Sequence, residues 1–153
     1  MHQFYYKGKE LYCEEVGLAE LVKKFGTPIY VYSRSTVVNH FNTLKSVLSE
    51  LDHLICYAIK ANSNAAIINT LASLGSGFDI VSEGELRRVI NAGGDSKKCV
   101  FAGVGKTEAE IEFALRNQIY SFNVESEPEL ERINAVAERL GVKAPVAVRV
   151  NPN

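Results

Sequence analysis

The 153-residue sequence predicts an α/β protein built around a parallel β-sheet, and a (β/α)8 TIM barrel is the favoured architecture. Short apolar runs of strand length recur along the chain, and helical patterns fill the gaps between them, with a repeat of about 20 to 27 residues. Each run is nearly continuous in apolar character, which is typical of parallel strands covered on both faces. A doubly wound open sheet is the alternative that fits the same pattern.

The candidate strands and the first long helix follow one another in a regular order. Residues 28–32 combine β-branched and aromatic side chains after a Gly-Thr-Pro turn, which indicates a strand. Residues 34–51 carry apolar side chains at three- and four-residue spacing, which predicts an amphipathic helix. The five candidate barrel strands are predicted at residues 54–59, 77–81, 99–102, 119–124 and 146–150.

Three of the intervening helices are predicted to begin at a capping box, in which a hydroxyl caps the helix and a later glutamate reaches back to the first amide. The pairs are Ser82 with Glu85, Thr107 with Glu110, and Ser126 with Glu129. Glycines are expected to end these helices: Gly93 and Gly141 close two of them, and Gly75 closes another helix over residues 64–74.

The length of the chain limits what it can form. A complete barrel of this kind needs roughly 250 residues, whereas this chain has 153. Five predicted strands cannot close such a barrel. We therefore expect the chain to be part of a longer protein.

Composition and charge argue against several classes of protein. Lys plus Arg total 17 and Asp plus Glu total 18, so the net charge is -1, which gives no electrostatic footprint for nucleic acid. No apolar stretch is long enough to span a bilayer and no signal-peptide pattern is present, so we expect a cytoplasmic protein. The three cysteines, Cys13, Cys56 and Cys99, are widely spaced, and the histidines are isolated. Neither a disulfide framework nor a metal site is expected.

Two glycine-containing segments look like nucleotide-binding motifs but fail on spacing. Residues 103–107 (GVGKT) resemble a phosphate-binding loop, but Val100 stands where that motif needs its first glycine. The alternative is a strand-to-helix turn with Thr107 as the N-cap. Residues 75–77 (GSG) precede a strand instead of following one, and Ile80 replaces the third glycine of a dinucleotide motif.

Three charged residues lie in or at the ends of predicted strands, where burial of an unpaired charge would destabilise the fold. Lys60 follows the run at 54–59, at the strand end where barrels build active sites, and the small Ala58 on the same face leaves room for a planar group. Asp79 lies inside the next strand, and Arg149 lies inside the last. Buried charges of this kind need partners. The alternatives are a solvated lysine and structural ion pairs for Asp79 and Arg149.

Five sequence blocks in order resemble the barrel-type pyridoxal-phosphate decarboxylases. The block at residues 57–62 (YAIKAN) is similar to the cofactor-lysine motif of that family, and residues 75–86 are similar to its next block. Within the family, three blocks resemble the diaminopimelate decarboxylases: residues 101–107, 122–130 and 149–152. The resemblance extends from about residue 26 to the end of the chain.

The resemblance implies a fold, a cofactor and a set of site residues. It implies an alanine racemase-like barrel of which residues 34–153 form the first part, while residues 1–33, with the N-terminal strand, contribute to a second, β-rich domain. It implies pyridoxal 5'-phosphate as the cofactor and Lys60 as the catalytic residue that carries it. Ala58, Asp79 and Arg149 would lie against the cofactor.

The resemblance also implies an activity. The expected reaction is the decarboxylation of meso-2,6-diaminopimelate, a small-molecule amino-acid substrate, to L-lysine and CO2 in lysine biosynthesis, by a homodimer with no nucleic-acid or membrane partner. In relatives, the phosphate-binding loops and the late catalytic cysteine and tyrosine lie beyond residue 153, so we expect this chain alone to be inactive. The alternatives are a decarboxylase of ornithine, arginine or carboxynorspermidine, a small alanine racemase, or a non-catalytic homologue that regulates a partner enzyme.

Overall fold

A computed structural model describes residues 3–152 of the chain. These residues belong to two compact units, Met1–Leu51 and Asp52–Asn153. The predicted boundary after residue 33 stays a prediction. His2, one of the isolated histidines, and the final residue lie outside the described residues.

The first unit contains a small antiparallel sheet and two helices. The sheet is formed by β1 (Phe4–Lys7), β2 (Glu10–Cys13) and β3 (Val16–Gly17), in that order. Helix α1 covers Leu18–Phe25, and α2 covers Arg34–Val47, which is four residues shorter than predicted. The Glu14 carboxylate accepts hydrogen bonds from the Ser33 hydroxyl and the Ser35 amide, both at 2.7 Å. These bonds hold the pKa of Glu14 below its ordinary value.

The strand predicted at residues 28–32 is not formed. These residues belong to an irregular segment between α1 and α2, and within residues 3–152 they pair with no other strand. β-branched and aromatic residues favour an extended backbone, but a strand also needs a neighbour to complete its hydrogen bonds. The β-structure of this unit is instead supplied by β1, β2 and β3.

The second unit alternates strands and helices, as predicted. Its strands are β4 (Cys56–Ala58), β5 (Gly77–Ile80), β6 (Cys99–Phe101), β7 (Ser121–Val124) and β8 (Val146–Val148). Its helices are α3 (Ala65–Ser73), α4 (Glu83–Asn91), α5 (Glu108–Arg116) and α6 (Glu127–Leu140).

The sheet of this unit keeps its strands in sequence order, β4-β5-β6-β7-β8, and every neighbouring pair is parallel. A doubly wound sheet reverses its strand order at a switch point, and no reversal occurs among these five strands. The arrangement is therefore that of a partial (β/α)8 barrel, as the sequence predicted.

The two faces of this sheet differ in chemistry. On one face Phe78, Ile80, Phe101 and Phe122 are fully buried against the helices, and the Phe101 and Phe122 rings stack with centroids 5.9 Å apart. Burying each such side chain stabilises the fold by about 1.5–3 kcal/mol. Side chains alternate along a strand, so the residues between these apolar ones, such as Asp79, face the other side. The apolar core thus leaves the second face free to line a cleft.

Of the three predicted capping boxes, the one at α5 is confirmed in full, and at α4 only its first half is formed. At α5 the box is complete, since the Thr107 hydroxyl accepts from the Glu110 amide and the Glu110 carboxylate accepts from the Thr107 amide. At α4 the Ser82 hydroxyl accepts from the Glu85 amide, but the Glu85 carboxylate accepts from the Val81 amide, one residue earlier than expected. Gly93 and Gly141, which follow α4 and α6, adopt positive φ as expected for residues that end helices.

The three cysteines are free thiols, as expected from their spacing. Within residues 3–152 no three His, Cys, Asp or Glu side chains come together in a way that could hold a metal ion. Over the same residues, none of the helices has both the length and the apolar character needed to cross a bilayer.

Candidate functional site

A cleft of about 700 Å³ lies on the helix-free face of the sheet, towards the carboxyl ends of the strands. Small-molecule sites are usually about 300–1,000 Å³ in volume, and parallel barrels place their active sites at this end. All five strands, or the residues directly after them, contribute to its lining. A second cavity, of about 600 Å³, lies near Leu115 and Pro145 at the opposite end of the strands, where barrels do not build active sites.

Lys60 lies in this cleft, in a single 3₁₀ turn (Ile59–Ala61) that follows β4. The predicted strand over 54–59 is shorter than expected, because the backbone turns directly after Ala58. The simple alternation that put Lys60 on the face of Ala58 therefore does not apply. Lys60 is exposed, and none of the residues from 3 to 152 forms a hydrogen bond or ion pair with its amine. The amine is thus available to a ligand.

Asp79 lies in β5 and faces the same cleft. Its Oδ1 atom is buried and has no hydrogen-bond partner in the described part of the chain. Asp79 also forms no ion pair within residues 3–152, so the alternative of a structural ion pair is not observed. An unpaired buried carboxylate oxygen is costly, so Asp79 is suited to a ligand that brings a donor or positive charge. Burial, and then the nearby Asp79 charge, raise the pKa of the Cys56 thiol, which also lines the cleft.

Arg149 also lines the cleft, but not as a buried strand residue. It lies one position beyond β8, and its backbone amide donates to the Val124 carbonyl at 2.9 Å. Its side chain is 57% exposed, and Nη1 lies 3.4 Å from Oε2 of Glu125. The guanidinium is not buried among residues 3–152, because β8 is the outer strand of the sheet that they form and its residues are exposed. An exposed pair this long contributes little to stability, so the guanidinium can exchange this contact for a bound anion.

Ala58 and Asn123 are two further strand residues that bear on the cleft. Ala58 is half-buried in β4, in register with the cleft-lining Asp79, and its predicted place beside a cofactor stays a prediction. Asn123, in β7, does line the cleft, and the sequence reasoning missed this residue. Strand alternation was the available signal: Asn123 lies between Phe122 and Val124, both of which are buried.

A buried ion pair that contacts the cleft-lining Asn123 through its backbone carbonyl was also missed. The Lys106 ammonium lies 2.6 Å from Oε1 of Glu129, and the two side chains are only 1% and 4% exposed. The prediction that Ser126 and Glu129 form a capping box is wrong, because Ser126 makes no side-chain cap. Glu129 instead pairs with Lys106, and its other oxygen accepts from the Glu125 amide at 2.9 Å. In the sequence, Lys106 stands out only as part of residues 103–107, whose spacing does not fit a phosphate-binding loop.

Together, these side chains fit a small anionic carbonyl compound. The unpaired amine of Lys60 can form a covalent bond with an aldehyde carbon. The Arg149 guanidinium is suited to a phosphate or carboxylate, and Asp79 can accept from a protonated group. Pyridoxal 5'-phosphate combines an aldehyde, a phosphate and a basic ring nitrogen, so the residues present match its functional groups.

Comparison with known proteins gives the family of the chain. The profile of the family described as "Pyridoxal-dependent decarboxylase, pyridoxal binding domain" matches residues 34–153. Diaminopimelate decarboxylase of Vibrio cholerae is 58% identical over 149 residues, which cover 97% of this chain and 36% of the relative. The Pseudomonas aeruginosa protein of the same name is 52% identical over 153 residues, covering 100% of this chain and 37% of the relative.

Solved structures agree with this assignment. Diaminopimelate decarboxylase from M. jannaschii in complex with L-lysine is 38% identical, with a TM-score of 0.94 over 99% of this chain and 36% of that one. The Helicobacter pylori enzyme with L-lysine is 44% identical, with a TM-score of 0.86 over 89% of this chain and 34% of that one. The chain thus spans just over a third of the length of the curated relatives it matches. With the cleft, the strand order and the profile in agreement, the chain belongs to the pyridoxal-binding domain family of the pyridoxal-dependent decarboxylases.

Proposed function

We propose that the chain is the N-terminal part of a pyridoxal-phosphate-dependent decarboxylase that converts meso-2,6-diaminopimelate to L-lysine and CO2. The observation that carries the proposal is the convergence of Lys60, Asp79 and Arg149 on one cleft at the carboxyl ends of parallel strands. An amine, a carboxylate with an unpaired oxygen and a guanidinium are the groups that an aldehyde cofactor with a phosphate requires.

Each of these residues has a role that follows from its surroundings. Lys60 would hold the cofactor covalently, because its unpaired amine can bond to the aldehyde carbon. Asp79 orients the cofactor through its unpaired oxygen, and Arg149 contributes positive charge beside it. Ala58, adjacent to this group in β4, provides a small side chain next to the bound ring. The bound cofactor supplies the electron-withdrawing ring that stabilises the carbanion left by loss of CO2.

The substrate assignment is supported by the identity of the relatives. Those named diaminopimelate decarboxylase are 58% and 52% identical to this chain, and two solved structures of that name are complexes with L-lysine, the expected product. A structure named lysine/ornithine decarboxylase is 26% identical, with a TM-score of 0.75. The difference in identity favours diaminopimelate over ornithine as the substrate.

Assembly, location and domain division extend the proposal. We infer that the whole enzyme is a cytoplasmic homodimer in which residues 1–33 contribute to a β-rich domain and residues 34–153 to the barrel. Size-exclusion chromatography with light scattering would measure the mass of the complete protein. A monomer at working concentration that releases lysine at full rate would contradict the dimer.

The test of Lys60 is a covalent one, made in the complete protein that carries this chain. Borohydride reduction of the cofactor-loaded protein, followed by peptide mass spectrometry, should place the cofactor on Lys60, and Lys60→Ala should abolish both the label and lysine formation. The matched control is Lys98→Ala, since Lys98 is another lysine near a strand end and its amine lies 3.5 Å from a carbonyl oxygen of Gly75. This control should keep both. Labelling of another lysine in the wild-type protein would refute the assignment.

A second test concerns the 153-residue chain by itself. We expect no lysine formation from meso-diaminopimelate by this chain, because its five strands leave the cleft open and the expected phosphate-binding loops are not part of it. Release of lysine at a rate comparable to that of the complete protein would show that the missing parts are not needed.

A further inference from the structure

Lys106 and Glu129 form a buried ion pair close to the cleft-lining Asn123. We propose that it is a positioning pair, which fixes the β6 and β7 side of the cleft so that Asp79 and Arg149 can hold a ligand between them. This inference rests on the proposed function, since it assigns the pair a part in cofactor binding.

The Lys106 ammonium joins three separate segments of the chain. It donates to the carbonyl of Gly103 at 2.7 Å, to the carbonyl of Asn123 at 2.9 Å and to Oε1 of Glu129 at 2.6 Å. Gly103 belongs to the turn after β6, Asn123 to β7, and Glu129 to α6. An ammonium has three N–H donors, and each is used on a different segment. The contact therefore fixes the relative positions of a loop, a strand and a helix.

Glu129 extends this contact towards Arg149. Its second oxygen, Oε2, accepts from the backbone amide of Glu125 at 2.9 Å. The Glu125 side chain in turn lies 3.4 Å from Nη1 of Arg149. A continuous set of contacts thus connects Lys106 with the guanidinium in the cleft, and the Asn123 carbonyl that Lys106 holds belongs to a residue that lines the same cleft.

Stability alone does not account for a charged pair at this place. Buried ion pairs have a desolvation cost that often equals their attraction, and apolar replacements of similar volume are often neutral or stabilising. The pair also connects the loop after β6 with the helix after β7, and these two strands separate β5, which carries Asp79, from β8, which leads to Arg149. Strands at this end of a barrel support the loops that bind ligands. A directional contact can hold those loops in one arrangement, which apolar packing does less well.

The test compares variants of the complete protein by their affinity for pyridoxal phosphate, measured by absorbance titration well below the melting temperature of each. We expect Lys106→Met to raise the Kd about tenfold or more, because it removes the contact that holds the β6 and β7 side of the cleft; a tenfold change is about 1.4 kcal/mol of binding free energy. Glu129→Gln keeps the shape and an acceptor but removes the charge, so it should raise the Kd by a smaller factor, at least about threefold. If Lys106→Met does not fold, Glu129→Gln decides the question.

The matched control is Val136→Ala, which shortens a fully buried side chain of the same helix, α6, and leaves Lys106 and Glu129 in place. It should lower the melting temperature. The Kd should stay within about twofold of the wild-type value, because substitutions that share no partners have nearly independent effects. The inference is overturned if the pair variants lower the melting temperature but bind the cofactor as the wild type does, or if Val136→Ala weakens binding equally. In those cases the proposed function stands. A wild-type protein that binds no pyridoxal phosphate would overturn both.

Discussion

Cys99 makes the stability of this fold sensitive to alkaline pH. Its side chain is fully buried in β6, and this burial, together with the charges of Cys56 and Asp95, raises the pKa of the thiol from 9.0 to about 12. A thiol whose pKa is raised on folding favours the folded state while it is protonated. Its contribution is complete below pH 9 and is lost as the pH rises from 9 towards 12.

The size of the effect follows from the shift. One pKa unit corresponds to about 1.4 kcal/mol. At pH 10, one unit above the unfolded pKa and well below the folded one, Cys99 should reduce the free energy of unfolding by about 1.4 kcal/mol relative to pH 8. Cys99→Ala removes the titrating group, so the variant should lack this part of the alkaline loss, whatever its stability at pH 8.

The assay is urea unfolding of the wild-type protein and of Cys99→Ala at pH 8 and pH 10. Tyrosines and lysines also titrate in this range, but they are common to both proteins and cancel in the difference. Val89→Ala is the matched control, since Val89 is equally buried and does not titrate. It should lose as much stability as the wild type between the two pH values. If Cys99→Ala also loses as much as the wild type, the reasoning from burial is wrong.

Three further predictions concern stability at single positions. Gly77→Ala should destabilise the fold by about 1–3 kcal/mol, because the added Cβ would lie 2.5 Å from a backbone carbonyl oxygen. The control is Gly105→Ala, which should be nearly neutral because the added Cβ would have no atom within 4 Å. Thermal melts of the two variants test the difference. Thr107→Ala should lower the free energy of unfolding by about 1 kcal/mol, and Ser126→Ala should lower it much less. Of these two residues, only Thr107 caps its helix through its side chain. Chemical unfolding measures both changes. Glu14 has a lowered pKa, so its contribution to stability should be lost as the pH falls below about 4.5, and melts of Glu14→Gln should show a weaker acid dependence.

Much of the second unit was predictable because its signals are local. Strand runs and helical stripes depend on neighbouring residues, and the capping box at Thr107 needs only a hydroxyl and a glutamate three residues apart. Parallel order follows from alternation of the elements. For the same reason the cleft could be expected at the carboxyl ends of the strands, with Lys60, Asp79 and Arg149 in it.

The remaining features depend on partners that are distant in sequence. Whether residues 28–32 form a strand depends on a neighbouring strand, and the exposure of Arg149 depends on β8 being an outer strand. Lys106 and Glu129 are 23 positions apart, and each looks locally like part of a helix start. Only the tertiary structure shows that they form a pair.

Side chains along each strand of the sheet alternate between the helix-facing side and the cleft-facing side, so mutations at the two kinds of position should have different effects. Substitutions at helix-facing residues such as Phe78 and Phe101 should lower the amount of folded protein in cells. Under the proposed function, those at cleft-facing Asp79 and Asn123 should leave the abundance unchanged and reduce the supply of lysine. A saturation-mutagenesis library scored both for abundance and for growth of a lysine auxotroph should therefore show the two scores alternating, residue by residue, along β5, β6 and β7. The two scores would then show, without a structure, which residues of each strand face the helices and which face the cleft.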